Sequence, residues 1–375
     1  MPATIRDVAR ASGVHISTVS RTFSAPHLVN PETRNRVLAT AESLGYRPNR
    51  AARALITGRT HNVGLIVADI ANPFFPPLIK AAESQARGRD YHIFVADTNE
   101  NAAVEEELVH ALAKQVDGIL LCSPRMSNSI IEKLSREVPL VVINRLIPGL
   151  PAVVMDVATG ARRAIEHLVG LGHRDIALLG GPRGSWTSRE IRRAATGAAR
   201  SAEANLVVIG PNSPTEDGGE AATDAVLRSG VTAVLAYNDL LAIGLLEGLD
   251  HRGVVVPKDI SVIGIDDIEL SRRIRPKLTT VATPKAAAGR AAVDMLLQHN
   301  APSGPHGGRD GARARSASAG GRGDGVDGRR TTAQVTLQTE LVIRDSTGPG
   351  PHRDAGPGLT VVASPDRRGN AYLKE

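Results

Sequence analysis

The sequence contains very little cysteine and few aromatic residues. Of its 375 residues, one is a cysteine, Cys122, and 2% are aromatic. A single cysteine excludes an internal disulfide and a cysteine-rich zinc site, and we expect Cys122 to be a buried apolar filler near a strand end rather than a sensor thiol. The histidines form no HExxH motif or other ligand-like cluster, so we predict neither a bound metal nor a cofactor.

Long apolar segments are missing as well. No apolar run approaches the roughly 18 residues of a membrane span, and the first residues, MPATIRDVARASG, lack the apolar region of a secretory signal. Hydrophobic residues make up 42% and charged residues 22%, which is typical of a globular protein with two or three domains at this length. We therefore expect a cytoplasmic protein that has no membrane partner.

Lysine is absent from the first sixty residues, yet this segment is strongly basic. It holds nine arginines against three acidic residues, an excess of six positive charges that equals the formal net charge of the whole chain, +6. Charge concentrated on one small module indicates a nucleic-acid-binding domain. The alternative, a solvated basic tail, would lack the apolar periodicity that this segment has.

The same segment reads as short helices. Thr4 and Asp7 mark the start of a first helix, Gly13 breaks it, and Val19 and Phe23 belong to a second. A third helix is predicted between an Asn30-Pro31 start and a stop at Gly45, with an apolar stripe of Val37, Leu38, Ala41 and Leu44.

Two short helices around a glycine turn, followed by a longer one, match the helix-turn-helix plan, in which the second helix lies in the major groove. Ile16, Ser17 and Arg21 would then face base edges, and Arg21 can bind guanine with two hydrogen bonds. The alternative is a helical bundle without nucleic acid. Charge and helix order together favour DNA binding.

Over TIRDVARASGVHISTVSRTFS and VNPETRNRVLATAESLGYRPNRAARALITGRT, about sixty residues, the sequence resembles the DNA-binding head of the LacI/GalR family. One departure is His15, where the family usually has a capping serine; histidine caps poorly, which predicts a looser helix start or a phosphate contact. The resemblance implies DNA contacts by the following residues: Thr4, His15, Ile16, Ser17, Thr18, Ser20, Arg21, Asn30, Tyr46, Asn49, Arg50, Ala52, Arg53 and Leu55.

Residues 47–55, RPNRAARAL, resemble the hinge helix of that family. So short a helix is marginal alone in water. Paired across a dimer, two such helices would enter the minor groove, where Leu55 acts as an apolar wedge between bases. Ala52 permits close approach, and Arg50 and Arg53 meet phosphates. An ordinary short helix is the alternative.

From residue 61 onward, short apolar runs alternate with helical segments, from VGLIVADI to SVIGIDD. Such runs predict parallel sheets whose faces are covered by helices. About ten strands suit two doubly wound halves better than one. The family resemblance covers residues 3–300 and 333–348 and implies the periplasmic-binding-protein fold, with three crossings near residues 156–160, 279–284 and 330–334.

Residues 301–330 differ in composition, with nine glycines and almost no large apolar residue. We predict a disordered insertion, which serves as a solvated linker or binds DNA nonspecifically through its arginines. The predicted organisation is as follows: a head at 1–46, a hinge helix and linker at 47–60, and an effector-binding and dimerisation domain at 61–348, with an N-subdomain of about 61–157 and 284–300, a C-subdomain of about 160–279 and 333–345, and a loose tail at 349–375.

In open α/β sheets, ligands lie beyond the carboxyl ends of the strands. This rule selects a polar set that suits a sugar, because hydroxyls pair with carboxylates and amides while an aromatic ring covers the apolar face. The selected candidates are Asp69, Asn72, Phe74, Ser123, Asn144, Arg145, Trp186, Asn238 and Asp266. Asp239 and Asp267 follow the same strands, and we expect them to tie loops together instead.

The resemblance supports part of this set. Asn72-Pro73-Phe74-Phe75 is similar to the family's NPFF turn, and Asn238 and Asp266 match effector-binding positions. The family's R-x-R-x-x-G motif falls on residues 189–194, where its second arginine is replaced by Ile191. Either Arg189 or Arg192 is expected to take its place.

These observations predict a dimeric regulator that binds a palindromic operator and is controlled by a sugar or sugar phosphate. The resemblance implies that this effector binds in the cleft between the two subdomains. Repression is expected because a regulator bound over a promoter blocks polymerase, with activation as the alternative; the effector is an inducer or a corepressor. An enzyme is disfavoured by the absence of a GxGxxG after the first strand, a P-loop and a nucleophile elbow. A secreted sugar-binding protein is disfavoured as well, because such a protein would need a signal peptide and would not carry a helix-turn-helix.

Overall fold

The structure is a computed structural model that describes residues 3–47, 58–299 and 333–351. Its first segment is a three-helix head: α1 (Ile5–Ser12), α2 (Ile16–Ser24) and α3 (Pro31–Ser43), with a short 3-10 turn at Pro26–Leu28. Thr4 precedes α1, and its backbone N–H donates to the Asp7 carboxylate over 3.0 Å. Gly13 ends α1 with a φ of 66°, a conformation that glycine adopts at little cost. The predicted helix order is confirmed.

The core of the head joins all three helices. Val8, Val19 and Val37 are fully buried, and the rings of Phe23 and Tyr46 pack with their centroids 5.9 Å apart. The predicted stripe on α3 was too wide: Val37 and Ala41 are buried, but Leu38 and Leu44 are each 41% exposed. Leu38 is one residue, or about 100° of helix rotation, from Val37, and Leu44 follows the last turn of α3.

The chain divides into two compact units, which are described separately. The first comprises Met1–Ala71, Phe75–Val154 and Lys285–Val335, and the second comprises Asn72–Phe74, Met155–Pro284 and Thr336–Glu375, of which the structure describes the ranges given above. Each unit holds one six-stranded sheet.

The sheet of the first unit has the order β11-β5-β4-β3-β1-β2. Its strands are β1 (Asn62–Val67), β2 (His92–Asp97), β3 (Ile119–Cys122), β4 (Leu140–Ile143), β5 (Ala152–Met155) and β11 (Gln334–Leu337). Its helices are α4 (Phe75–Arg87), α5 (Ala102–Ala113), α6 (Asn128–Leu134) and α11 (Lys285–His299). Neighbouring strands from β2 to β5 pair in parallel, so their carboxyl ends lie along one edge.

The sheet of the second unit has the order β12-β10-β9-β8-β6-β7. Its strands are β6 (Asp175–Leu179), β7 (Asn205–Ile209), β8 (Ala233–Ala236), β9 (Ser261–Asp266), β10 (Thr279–Ala282) and β12 (Glu340–Val342). Its helices are α7 (Val157–Gly170), α8 (Trp186–Ser201), α9 (Glu216–Arg228) and α10 (Asp239–Asp250), with a 3-10 turn at Glu269–Arg272. The central pairings are parallel.

Two details of this sheet differ from the prediction. Residues 279–282 were assigned to a crossing, yet they form β10 between β9 and β12. The two threonines weaken the apolar signal, but both are fully buried. The last strand, β12, runs antiparallel to β10. The apolar runs from VGLIVADI to SVIGIDD that were predicted as strands all contain strands, and the fold class of a helical head with two parallel α/β sheets is confirmed.

No helix in the described ranges is long and apolar enough to cross a membrane.

Candidate nucleic-acid interface and ligand-binding sites

The second helix of the head presents a polar, cationic face. Val19 and Thr22 point into the head and are buried, whereas Ser17, Arg21 and Ser24 lie on the opposite side at a rotation of about 100° per residue. Arg21 is exposed and makes no side-chain hydrogen bond or ion pair with any residue that the structure describes. Its guanidinium is therefore available to an external acceptor.

The start of α2 corrects one expectation. The ring Nδ1 of His15 accepts a hydrogen bond from the Ser17 backbone N–H over 3.3 Å and lies 2.9 Å from the Ser17 hydroxyl oxygen. Histidine thus caps this helix, so the start of α2 is not left uncapped. Ile16 beside it is 39% exposed, and Thr18 and Ser20 are half-buried.

Other residues that were predicted to contact DNA also make contacts within the head. The Asn30 side chain accepts from the Glu32 backbone N–H over 2.9 Å and caps α3, and Thr4 is bonded to Asp7 through its hydroxyl over 2.7 Å. Tyr46 packs on Phe23, and burial raises the pKa of its phenol. Asn49, Arg50, Ala52, Arg53 and Leu55 lie outside the described residues, so their contacts stay predictions.

Asp117 holds the chain where it enters the first sheet. One carboxylate oxygen accepts from the Thr60 backbone N–H at 2.6 Å and from the Thr60 hydroxyl at 2.7 Å, and the other accepts from the His61 backbone N–H at 3.1 Å. Tyr91 and Arg59 lie beside it: burial, followed by the charge of Asp117, raises the pKa of the Tyr91 phenol. Sequence reasoning missed this anchor because Asp117 lies 57 and 56 positions from Thr60 and His61.

In the first unit, Ser123 and Asn144 follow β3 and β4 at the carboxyl edge of the sheet. Both have positive φ, 53° and 60°, and the Asn144 amide donates to the Ser123 hydroxyl over 3.3 Å. Asp69 follows β1 and accepts from the Ala71 backbone N–H over 2.9 Å. Non-glycine residues with positive φ are uncommon and concentrate at functional sites.

Asn72 and Phe74 form a tight turn. The Asn72 side chain accepts from the Phe74 backbone N–H over 2.9 Å, and both residues are buried. In the first unit, Arg145 is also buried, with its guanidinium donating to the Pro124 and Met126 carbonyls and to the Asn128 side chain. These bonds join two loops and favour a positioning role for Arg145 over ligand contact.

Asn238 follows β8 and Asp266 is the last residue of β9, so both lie at the carboxyl edge of the second sheet. The Asn238 carbonyl oxygen caps α10 by accepting from the Leu241 N–H over 3.0 Å, and its amide donates to the Pro214 carbonyl over 2.9 Å. Asp266 is half-buried and has a φ of 123°, a conformation that non-glycine residues rarely adopt.

Asp239 and Asp267 tie loops together, as predicted. Asp239 accepts from the Ile268 N–H at 2.9 Å and from the Thr280 hydroxyl at 2.5 Å. Asp267 pairs with Arg272 and Arg344. Burial acts to raise the pKa of Asp267, but the hydrogen bonds and charges of the two arginines outweigh it and hold the pKa below its usual value.

A cavity of about 390 Å³ lies beyond the carboxyl ends of β6 and β7. Both arginines proposed from the sequence, Arg189 and Arg192, line it on the first turns of α8, and Arg183 joins them from the preceding loop. Ile191, which occupies the family's arginine position, is 1% exposed and belongs to the core. Trp186 begins α8, is half-buried, and is not among the residues that line this cavity.

Cys122 is buried as predicted, and burial raises the pKa of its thiol to about 12. Among the described residues, no three histidine, cysteine, aspartate or glutamate side chains are placed to hold a metal ion.

Comparison with known proteins extends these observations. Residues 4–49 match the family described as bacterial regulatory proteins, lacI family, and residues 165–313 match the periplasmic binding protein-like domain. The chain is 34% identical over 310 residues to the HTH-type transcriptional regulator GalS of Salmonella typhimurium strain LT2, covering 79% of this chain and 89% of that protein.

Two solved structures are similar along most of the chain. A lac repressor dimer bound to operator and the anti-inducer ONPF shares 26% identity with a TM-score of 0.78, covering 93% of this chain and all of that one. The transcriptional regulator CelR in complex with cellobiose shares 27% identity with a TM-score of 0.63, covering 92% and 99%.

Proposed function

Because this chain belongs to the lacI family of bacterial regulatory proteins, we propose that it represses transcription as a dimer on a palindromic operator, under the control of a sugar-like effector. Members of this family are DNA-binding transcription regulators and not enzymes, and they act in the bacterial cytoplasm. The observation that carries the proposal is the exposed face of α2, on which Arg21 has no partner among the described residues.

A dimer is needed because one helix-turn-helix covers too few bases to specify a site, and two-fold dimers read half-sites one turn apart. The first unit carries apolar surface that a second copy can cover. Phe94 and Val95 on β2, a strand at the edge of the sheet, are 43% and 40% exposed, and Ile70 is 47% exposed. A charged substitution, Val95→Asp, should shift the dimer toward monomer in light scattering coupled to gel filtration.

DNA recognition is tested with two arginine variants. Arg21→Ala should cost about 1–3 kcal/mol at the operator and relax one base position. Arg36→Ala removes an exposed charge from α3. It should weaken binding to the operator and to random DNA by the same factor. Footprinting identifies the operator, and a selection from randomised sites reads the specificity. If Arg21→Ala loses the same affinity for the operator as for random DNA, Arg21 does not read a base.

For the effector, we propose a site at the carboxyl edge of the second sheet, with Asn238 and Asp266 as contacts. The support is the backbone of Asp266, whose φ of 123° holds a polar residue at the end of β9 at an energetic cost, while Asn238 follows the neighbouring strand β8. A ligand shifts DNA affinity only by its difference in affinity for two arrangements of the protein. Either an inducer or a corepressor fits this scheme.

A thermal-shift screen of sugars and sugar phosphates, followed by operator binding with each hit, tests the effector. A ligand of the native state stabilises it by about 2.7 kcal/mol at a hundredfold excess over Kd. Asp266→Asn suits the site better than Asp266→Ala because asparagine keeps the size of the side chain and one oxygen acceptor while removing the negative charge; it should abolish the shift and preserve DNA binding. Asp250→Asn, exposed at the far end of α10, is the matched control. A hit that stabilises Asp266→Asn as much as the wild type would place the ligand elsewhere.

A further inference from the structure

The cavity beyond β6 and β7 has an unusual lining. One wall is formed by Gly180, Gly181 and Pro182, another by Val208, Gly210 and Pro211, and the first turns of α8 close the third side. At about 390 Å³ it falls within the range of small-molecule sites, roughly 300–1,000 Å³.

Apart from Ser188, the polar side chains that line the cavity are cationic. Arg183, Arg189 and Arg192 line it, and none of the acidic residues that the structure describes does. These three guanidinium groups make no side-chain hydrogen bond or ion pair with the part of the chain that the structure describes. Glu190, the acid between them in sequence, pairs with Arg193. Three uncompensated charges around one concave space are complementary to a polyanion and not to a neutral sugar.

The backbone around the cavity is held in place. The Gly181 N–H donates to the Ser188 hydroxyl oxygen over 3.1 Å, and a Cβ at Gly181 would lie 2.5 Å from the Tyr237 ring. The Ser188 hydroxyl hydrogen has no acceptor among the described residues, so this side chain can donate into the cavity. A rigid wall with one hydroxyl donor and several guanidinium groups matches a tetrahedral oxyanion.

We propose that this cavity binds a phosphate group, with Arg183, Arg189 and Arg192 as its counter-charges. Guanidinium groups bind phosphate through paired hydrogen bonds, and a doubly negative group balances most of the local charge. Resting on the proposed function, the inference makes the effector a phosphorylated sugar whose phosphate occupies the cavity. Free inorganic phosphate is the other source of the same chemistry.

The test is isothermal titration of the full chain at constant ionic strength with inorganic phosphate, with glucose and glucose 6-phosphate, and with fructose and fructose 1-phosphate. We expect inorganic phosphate to bind and Arg189→Gln/Arg192→Gln to weaken it by about tenfold or more. Arg200→Gln is the matched control: Arg200 is exposed on α8, unpaired among the described residues, and not on this cavity. It should change the affinity less than about twofold.

The sugar pairs identify the source of the phosphate. A phosphate ester that binds tighter than both its parent sugar and inorganic phosphate places the group on the effector; inorganic phosphate binding at least as tightly as the esters makes it a free anion. Both results support the site. Absence of phosphate binding, or an equal loss with Arg200→Gln, overturns it.

Operator binding separates this inference from the proposed function. A neutral sugar that alters operator affinity, in a protein that binds no phosphate, refutes the phosphate site and leaves effector control intact. If phosphate binds in an arginine-dependent way but no ligand alters operator affinity, the phosphate site is supported and effector control is refuted.

Discussion

Replacing Asp117 with asparagine should loosen the chain at the entry to the first sheet. The aspartate accepts hydrogen bonds from the Thr60 N–H and hydroxyl at 2.6 and 2.7 Å and from the His61 N–H at 3.1 Å, and the Tyr91 side chain is hydrogen-bonded to it as well. Asparagine keeps one carbonyl oxygen, which can hold the two bonds from Thr60. Its amide then faces the His61 N–H, donor against donor.

The magnitude follows from these contacts. A hydrogen bond to a charged group contributes about 1.5–3 kcal/mol, and Asp117 is only half-buried, so the low end applies. Losing the bond from His61 and the charge on the two from Thr60 gives about 2 kcal/mol, or roughly a thirtyfold larger population of the locally open form.

Limited trypsin digestion reads this opening at the Arg59–Thr60 bond. When opening and closing are fast relative to cleavage, the cleavage rate follows the open population, so the fragment that begins at Thr60, quantified by mass spectrometry, should form about thirtyfold faster in the variant. Asp90→Asn is the control, because the nearest Asp90 oxygen lies 3.9 Å from the His61 ring nitrogen. A rise below about threefold, or an equal rise in the control, would refute the anchoring role of Asp117.

Four further predictions follow from single sites. Burial lowers the pKa of His173 below its usual 6.5, so the unfolded chain binds the proton first as the pH falls. The contribution of His173 to the free energy of unfolding should therefore be complete above about pH 6.5 and decrease below it by up to about 1.4 kcal/mol per pH unit. His173→Gln should reduce this slope in urea titrations at about pH 5–8. The Cys122 thiol should react with a disulfide reagent at pH 8 only in denaturant. A Cβ at Gly244 would lie 1.8 Å from the Glu216 carbonyl oxygen, so Gly244→Ala should destabilise the second unit by about 2 kcal/mol or more in urea unfolding; a loss below about 0.5 kcal/mol would contradict the close contact of α9 and α10. Leu55→Ala should reduce operator bending in a gel assay while the dimer persists.

Much of the fold could be predicted because its signals are local. An apolar run such as Ile119–Cys122 is buried along its whole length, and the head is marked by residues that act on their own neighbours, such as Gly13 after α1. A strand that contains threonines, such as β10, gives no such local signal. Thr279 and Thr280 are fully buried, but only pairing with β9 and β12 reveals a strand there.

The candidate sites were harder to predict than the strands. Position after a strand selected Arg145 and Asp266 alike, yet Arg145 is engaged by three backbone and side-chain acceptors that come from residues 17 to 21 positions away. No local pattern distinguishes an arginine that holds loops from one that faces a ligand. Arg183 was not among the predicted site residues, because only the fold shows that it lines the same cavity as Arg192.

The end of the described chain gives the molecule an unusual modularity. Within nine residues, β11 extends the first sheet and β12 the second, and Ser346 then bonds to the Val262 carbonyl at 2.6 Å and to the Thr279 N–H at 2.8 Å. A chain cut between residues 300 and 332 leaves both sheets one strand short, and a single peptide of residues 333–351 repairs both. The regulator is thus suited to fragment complementation, in which operator binding reports whether the two pieces have met.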